Sequence, residues 1–361
     1  MNAFQSLVLP PALIAAAAAF LATPIVIGLA KRIGIVDDPR VRKRPQDIHK
    51  YPVPRGGGIA IFFGVVIAAI VFLPFDKHLV GILAGAVILT AMGIADDKYD
   101  LNPYLRLVGQ FVAASAPIVA GIGIAFITNP FNGILDLSHP QITLEIFGTT
   151  KTIWILSDVF ALIWIVSLMN FINMGAKGID GQLPGVVTIA AITIALLSLR
   201  FSADITQWPV IILAAAVAGA YLGFLPWNTY PQKIMPSFSG SNLAGYFLGV
   251  LSILSTTKVG TLFVVLGIPL VDTGYTIIRR LLAGRSPVWG DTGHLHHKLL
   301  EVGFSKKKVV YLYWLGTLVL GIAALNLNSA SKFYTIIGVA VSLGGLLLWL
   351  TYRSKDKNKQ K

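Results

Sequence analysis

The chain has 361 residues, of which 55% are hydrophobic and only 12% are charged, and its mean hydropathy is +0.74. Soluble domains carry about 25% charged residues, so the composition excludes a soluble globular protein and predicts one embedded in a membrane. The sequence contains no cysteine, which excludes disulfide bonds and thiol catalysis. The net charge is +13. Membrane topology and attraction to anionic lipid account for it, and we expect no nucleic acid as a partner.

Long apolar segments predict the fold class. A transmembrane helix needs about 20 mostly apolar residues, and the chain contains eleven candidate segments. They are 5–30, 57–75, 78–95, 106–128, 153–172, 183–199, 209–225, 242–256, 259–278, 309–327 and 334–352. We therefore expect an all-α polytopic membrane protein with about eleven transmembrane helices. They should form a single domain over 1–361 with a basic tail at 353–361.

The distribution of Lys and Arg predicts the orientation in the membrane. If the loops alternate between the two sides, most of the 29 Lys and Arg residues fall on one side. The exceptions are Lys77, Lys151, Arg200, Lys258 and Lys332. Basic loops mark the cytoplasmic face, so we expect the N-terminus outside and the C-terminus in the cytoplasm of a multi-pass plasma (inner) membrane protein. The long polar loops then face the cytoplasm, as in an enzyme that acts at the inner membrane surface.

Carboxylates cluster at the predicted end of the third span, in the stretch GIADDKYDLNP. If the helix continues, Asp97 and Asp100 share one face, as residues three apart do, and Asp96 points elsewhere. Such carboxylates repel one another, so they indicate nearby cations, a metal ion or a proton-transfer task. A solvated helix end would also explain them. Asp158 and Asp272 fall within predicted spans, where ionisable residues are functional candidates.

Three of the six histidines lie in the stretch GDTGHLHHKLLEVGF, which covers 290–304. His294, His296 and His297 are expected to lie in a cytoplasmic loop. Their spacing leaves a metal site, a pH-dependent switch and a phosphate-binding site open. Zinc is disfavoured because the chain has no cysteine and no HExxH helix.

Three stretches resemble one family of membrane enzymes. ADDKYDL is similar to the DDxxDL element of polyprenyl-phosphate N-acetylhexosamine-1-phosphate transferases (glycosyltransferase family 4), relatives of the phospho-MurNAc-pentapeptide translocase. Residues 34–64 resemble the family's first cytoplasmic loop, which usually ends PRxGG, and 268–305 resemble its last large loop with the HxHH element. The motif order and the eleven-span topology agree with the family over nearly the whole chain.

The resemblance implies a reaction. A sugar-1-phosphate would pass from a UDP-sugar to polyprenyl phosphate, such as undecaprenyl phosphate, with release of UMP, for cell-envelope glycan synthesis. The HxHH and DDxxDL elements favour GlcNAc or a similar N-acetylhexosamine over the pentapeptide branch. Mg²⁺ is the implied cofactor, because the family binds it at the reacting phosphates.

The resemblance also implies roles for individual residues. We expect Asp96, Asp97 and Asp180 to be catalytic, with Asp97 as the base or orienting group and Asp96 as its partner. Asn173 and Asp180 are the expected metal ligands. The residues expected to bind substrate or its phosphates are Asp100, Lys177, Arg279, Arg280, His294, His296 and His297.

Two family elements lack an expected carboxylate. The stretch NFINMGAKGIDG (170–181) stands for the usual NxxNxxDGxDG and places Lys177 where the first aspartate is expected. The stretch MPSFSGS (235–241) stands for FMGDSGS, so Phe238 occupies the position of an implied magnesium ligand. One carboxylate is thus replaced by a cation and the other by an aromatic ring.

Four interpretations of Lys177 are open. Its ammonium group could partly replace a divalent ion by neutralising diphosphate charge, which predicts reduced dependence on Mg²⁺. Metal binding could be lost, leaving a catalytically silent relative that binds lipid phosphate or a partner enzyme. Asp96, Asp97 and Asp180 could still hold Mg²⁺ with water completing the shell. Lys177 could also be an ordinary basic loop residue.

Overall fold

Helices make up most of the computed structural model, which describes residues 3–41, 49–131, 133–146, 149–255, 258–286 and 293–359. The helices within these ranges are α1 (Ala3–Leu7), α2 (Leu9–Arg32), α3 (Gly57–Phe72), α4 (Lys77–Tyr99), α5 (Pro103–Val119), α6 (Ile155–Gly175), α7 (Gln182–Leu199), α8 (Trp208–Asn228), α9 (Ser237–Leu254), α10 (Lys258–Val265), α11 (Gly267–Leu282), α12 (Leu295–Glu301), α13 (Lys306–Asn326) and α14 (Ser329–Lys359). A 3₁₀ turn, Ile205–Gln207, leads into α8.

Short strands pair in antiparallel fashion between some of the helices. They are β1 (Val36–Asp37) with β2 (Val53–Pro54), β3 (Phe126–Thr128) with β4 (Ile134–Asp136), and β5 (Gln141–Ile146) with β6 (Thr149–Trp154). The first pair precedes α3, and the other two lie between α5 and α6. The strands are therefore confined to connections, and the helices form the body of the protein.

The fold class is confirmed as a polytopic α-helical membrane protein. Each predicted apolar segment overlaps at least one helix. Within the described ranges, eight helices are long and apolar enough to cross a membrane, or nine if one bent pair counts as a span. The helices α3 and α5 are shorter, with 16 and 17 residues. The count of eleven spans and the orientation of the termini remain predictions.

The predicted span 106–128 is wrong in its second half. The helix α5 ends at Val119, and Gly121 then takes φ +102°, a left-handed conformation that favours glycine. The following apolar residues form β3 rather than helix. Hydropathy alone does not separate an apolar strand from the end of an apolar helix.

The predicted span 259–278 is not a straight helix. The helices α10 and α11 meet at Leu266 with a bend of 84°. Pro269 explains the break, because it lacks the N–H that would bond the carbonyl of Val265 and its ring clashes with that carbonyl. At the other end of the chain, α14 continues to Lys359 through most of the predicted tail. The last two residues of the tail lie outside the described ranges.

Helix ends meet at one side of the bundle. The helices α7, α8 and α9 form its buried centre, while α2 and α14 expose most of their surface. A Cβ atom at Gly58 or Gly93 would overlap with the side chain of Ser239, so the start of α3 and the end of α4 approach α9 closely. Polar side chains at these helix ends are thereby brought together.

Candidate active site

Arg55 lies between β2 and α3, on backbone that is bonded to the segment before α9. The Met235 N–H donates to the Pro54 carbonyl at 2.9 Å, and the Gly57 N–H donates to the Met235 carbonyl at 2.9 Å. Gly56 has φ +92°, a conformation that strains other residues, and turns the chain into α3. These bonds fix Arg55 where α3, α4 and α9 meet.

Asp96 and Asp97, on the last turn of α4, are only 1% and 4% exposed and share the guanidinium group of Arg55. Nη2 of Arg55 lies 2.9 Å from Oδ1 of Asp97 and 3.7 Å from Oδ2 of Asp96. Nη1 of Arg106 lies 3.4 Å from Oδ1 of Asp96, and its guanidinium group lies 5.4 Å from the ring centroid of Phe238. Two guanidinium groups thus compensate two carboxylates, as burial of charge requires.

The expectation that Asp97 and Asp100 share a helix face, with Asp96 pointing elsewhere, is wrong. The helix α4 ends at Tyr99, and Asp100 is exposed with φ +53°. Residues three apart share a face only on a continuing helix, and α4 ends one residue before Asp100. A role for Asp100 in binding substrate stays a prediction.

Lys177 follows α6, the helix that carries Asn173. Its Nζ donates to Oδ1 of Asn173 at 2.7 Å, and Oγ of Ser241 donates to the same oxygen at 2.7 Å. Burial lowers the pKa of Lys177 to about 8. The two guanidinium groups described above lower this pKa further, and the two carboxylates of α4 oppose the shift. Lys177 therefore belongs to the same group of charges as Arg55 and its partners.

The side chains around Asn173 do not form a ligand set that fits a divalent metal ion. Oδ1 of Asn173 already accepts from the ammonium group of Lys177, and Oγ of Ser241 lies within hydrogen-bond distance of the same oxygen. Phe238 has no ligating side chain, and its own carbonyl accepts from Nδ2 of Asn242 at 2.8 Å. Within the described part of the chain, no group of three or more His, Asp or Glu residues is placed to hold a metal. The expected metal ligand Asn173 thus has an ammonium partner.

Asp180 lies in the turn between α6 and α7. Side chains from three helices hold this turn in place. Oδ1 of Asn228 accepts from the Gly181 N–H at 3.0 Å, and Nε1 of Trp314 donates to the Gly181 carbonyl at 3.2 Å. The Gln182 side chain bonds two further backbone groups of the turn. This turn is consequently a fixed element, and it holds the residues that follow α6 in place.

Asp180 itself is 6% exposed, and its Oδ2 is buried without a hydrogen-bond partner in the described ranges. Burial raises the pKa of Asp180, while the charges of Lys306 and His49 oppose this shift. Charged groups of the first loop and of the start of α13 thus act on this carboxylate. Its predicted roles, in catalysis and in metal binding, remain predictions.

The connection between α11 and α13 that carries the three histidines contains a short helix, which was not expected. His294 precedes α12, and His296 and His297 lie in its first turn, where all three are buried. The ring centroids of His294 and His296 are 5.6 Å apart, and those of His296 and His297 are 4.3 Å apart. Asp272 explains the helix: its Oδ1 accepts from the Leu295 N–H at 2.7 Å, an otherwise unpaired donor at a helix start. Its Oδ2 lies 3.1 Å from Nδ1 of His294.

His296 connects the histidines to the turn that carries Lys177. Its imidazole lies directly against Gly178, where a Cβ atom would overlap with Nε2. Burial lowers the pKa of His296 well below its ordinary value, and the two neighbouring imidazoles add to this effect. His296 is therefore neutral at pH 7, and a neutral imidazole offers one N–H donor.

The predicted phosphate-binding arginines lie at the end of α11, the helix that carries Asp272. Arg280 is buried, and the guanidinium group of Arg279 lies against Gly293, the residue before the first histidine. Residues 287–292, which include part of the histidine stretch, lie outside the described ranges. Phosphate binding by these arginines and histidines stays a prediction.

Sequence reasoning missed Arg55 and Arg106. Arg55 had a signal, because it is the arginine of the PRGGG stretch that resembles the end of the family's first loop. Arg106 had none beyond its position shortly after the acidic cluster. Nearby cations were one of the explanations open for that cluster, and the sequence does not say which of the 29 Lys and Arg residues contact it. Asp272 was noted as an ionisable residue in a span, without its histidine partner.

The fold and the site define a polytopic membrane protein with a buried polar site at the ends of its helices. Comparison with known proteins specifies the family. The chain belongs to glycosyl transferase family 4, whose model matches residues 79–256. The matched range runs from α4 to the end of α9 and includes the acidic pair, Lys177 and Phe238.

Relatives with related names cover most of the chain. It is 32% identical to a probable undecaprenyl-phosphate N-acetylglucosaminyl 1-phosphate transferase of Bacillus subtilis, over 87% of this chain and 83% of the relative. It is 30% identical to the decaprenyl-phosphate N-acetylglucosaminephosphotransferase of Mycolicibacterium smegmatis, over 91% and 84%. It is 28% identical to a phospho-N-acetylmuramoyl-pentapeptide-transferase of Desulforudis audaxviator, over 87% and 97%. The resemblance inferred from the motifs is confirmed.

Proposed function

We propose that the protein transfers an N-acetylhexosamine-1-phosphate, with GlcNAc-1-phosphate as the first candidate, from a UDP-sugar to undecaprenyl or another polyprenyl phosphate. The reaction would take place at the cytoplasmic face of the plasma membrane. Relatives of nearly the full length, named for such transfers, support this proposal. The observation that carries it is the group of buried Asp96, Asp97 and Arg55 with half-buried Lys177 at the helix ends. Opposite charges held in place in this way suit binding and orientation of a diphosphate.

The proposed reaction is a phosphoryl transfer between two phosphates. An oxygen of the lipid phosphate attacks the β-phosphorus of the UDP-sugar, the bond from this phosphorus to the bridging oxygen breaks, and UMP leaves with that oxygen. The lipid phosphate monoester is largely ionised at pH 7, because its second pKa is about 6. A base therefore adds little, and positioning and charge neutralisation contribute most. Asp97 would orient the attacking phosphate or remove a residual proton, with Asp96 as its partner.

The histidines and the arginines of α11 would bind the nucleotide phosphates. Asp272 fixes the ring of His294 and the start of α12, and the rings of His296 and His297 pack beside that ring. Donors held in this way would lose little entropy on binding a phosphate. Their contact with the Lys177 turn through Gly178 supports one continuous site.

The replacement of two expected carboxylates favours a second candidate, a catalytically silent relative that binds lipid phosphate or a partner enzyme. One assay separates the two. Purified protein in mixed micelles with undecaprenyl phosphate receives radiolabelled UDP-GlcNAc, UDP-GalNAc or UDP-MurNAc-pentapeptide, and labelled lipid and UMP are measured. An active transferase forms both products in equal amounts, and Asp97→Asn lowers their rate. Retained binding of polyprenyl phosphate with no product from any donor would favour the silent relative.

A further inference from the structure

Three cations surround two carboxylates at the site. Arg55 and Arg106 are paired with Asp96 and Asp97, whereas Lys177 donates to a neutral amide oxygen and forms no ion pair in the described ranges. An ammonium group has three donors, and Asn173 uses one of them. We call Arg55, Arg106 and Lys177 the cationic cluster.

Lys177 is placed to bind an anion. The bond to Asn173 leaves two of its three N–H donors, and the guanidinium groups of Arg55 and Arg106 belong to the same group of charges. An anion would supply charge opposite to all three cations and accept the remaining N–H donors. A divalent cation would do the reverse, since it would add positive charge beside the ammonium and compete with Lys177 for Oδ1 of Asn173.

We propose that the cationic cluster binds a phosphate group directly, so that Lys177 takes the place of a divalent ion at this site. The ligand chemistry is a phosphate dianion or diphosphate, from either the nucleotide sugar or the polyprenyl phosphate. This identity of the ligand rests on the proposed function. The arrangement of the side chains is observed independently of that function: Lys177 and Ser241 contact Asn173, and Phe238 stands in place of a ligand.

Ligand binding in excess EDTA tests the proposal. The full chain, purified in detergent, is titrated with UDP, with inorganic pyrophosphate and with undecaprenyl phosphate in micelles, with EDTA or with Mg²⁺. At least one ligand should bind in EDTA with an affinity close to that in Mg²⁺. Binding of UDP or pyrophosphate assigns the cluster to the nucleotide, and binding of undecaprenyl phosphate alone assigns it to the lipid.

Substitutions show whether Lys177 is responsible. Lys177→Met keeps most of the length of the side chain but removes the charge, and it should weaken binding in EDTA by roughly 10- to 100-fold, as expected for loss of a charged hydrogen bond. Lys177→Arg should retain most of the affinity. Lys98→Ala is the matched control: it removes the same charge one residue after Asp97 but from an exposed side chain, and it should bind like the wild type. Thermal denaturation of each variant in detergent reports folding.

A reconstructed metal site gives an independent readout. In Lys177→Asp with Phe238→Asp, phosphate binding should require Mg²⁺, and Mg²⁺ alone should raise the melting temperature, which it should not do for the wild type. Lys177→Asp alone should do less, because the ion would remain under-coordinated. If Lys177→Met fails to fold, the wild-type titration in EDTA and this double variant still decide the matter.

The outcomes separate this inference from the proposed function. Wild-type binding that disappears in EDTA, or Lys177→Met that binds like the wild type, overturns the inference even if sugar phosphate is transferred. Lys177-dependent binding in EDTA without any transfer supports the inference and argues against the transferase. A protein that binds none of the three ligands under either condition contradicts the inference as well.

Discussion

Replacing Arg55 with methionine should strongly destabilise the protein. The Arg55 side chain is 8% exposed and lies 2.9 Å from an Asp97 side chain that is fully buried. Removing one partner of a buried ion pair leaves an uncompensated charge, which costs about 3–5 kcal/mol. Asp97→Asn in the same chain removes that charge and should restore about 1–3 kcal/mol, because Asp96 keeps its contact with Arg106.

Unfolding in mixed detergent micelles, followed for the wild type, both single variants and the double variant, measures this coupling. The pair between Arg40 and Asp38 is the control, because its atoms are closer, at 2.7 Å, but the Arg40 side chain is 75% exposed. Arg40→Met should cause no measurable loss, since exposed ion pairs contribute little. Additive effects of Arg55→Met and Asp97→Asn, or an equal loss in Arg40→Met, would refute the argument that burial determines the strength of these pairs.

Three further predictions concern the site. Phosphate binding in EDTA should fall as the pH rises through about 8, because Lys177 is protonated below this pKa and neutral above it; Lys177→Arg should abolish this dependence. Gly178→Val should displace His296, since even a Cβ atom overlaps with its ring, and transfer should fall at least about tenfold by misplacement of catalytic groups; unchanged kinetics would show that this contact is irrelevant. Asp272→Asn should impair transfer by releasing His294, which the radiolabel assay and nucleotide titration measure. Membrane insertion should stay intact, which a localisation reporter checks.

The apolar segments predicted the helices well, because lipid requires helices whose backbone groups are bonded internally. The failures have local causes. Phe126–Thr128 is as apolar as the end of a helix but forms β3, and the bend near Leu266 depends on Pro269, which a hydropathy count treats as one residue among many. The seven residues of α12 are too few to produce a periodic signal, so the histidines were placed in a loop.

The site was predictable where a motif marked it and unpredictable where it depends on tertiary contacts. The acidic pair and Lys177 were identified from their positions in family elements. The bond from Lys177 to Asn173 was not predicted, because Lys177 lies beyond the end of α6. Arg55 is 42 residues from Asp97, and only the packing of α3 and α4 against α9 brings them together. Local patterns carry no information about such pairs.

Transfer of radiolabel from UDP-GlcNAc to undecaprenyl phosphate in excess EDTA shows whether Lys177 replaces the metal ion in a working transferase. Lys177→Met and Lys98→Ala are assayed beside the wild type. Labelled lipid should form from the wild type and from Lys98→Ala without added metal. The rate from Lys177→Met should be lower by roughly tenfold or more, as expected for loss of one charged hydrogen bond. Wild-type transfer that occurs only with Mg²⁺, together with full activity of Lys177→Met, would contradict this role of Lys177.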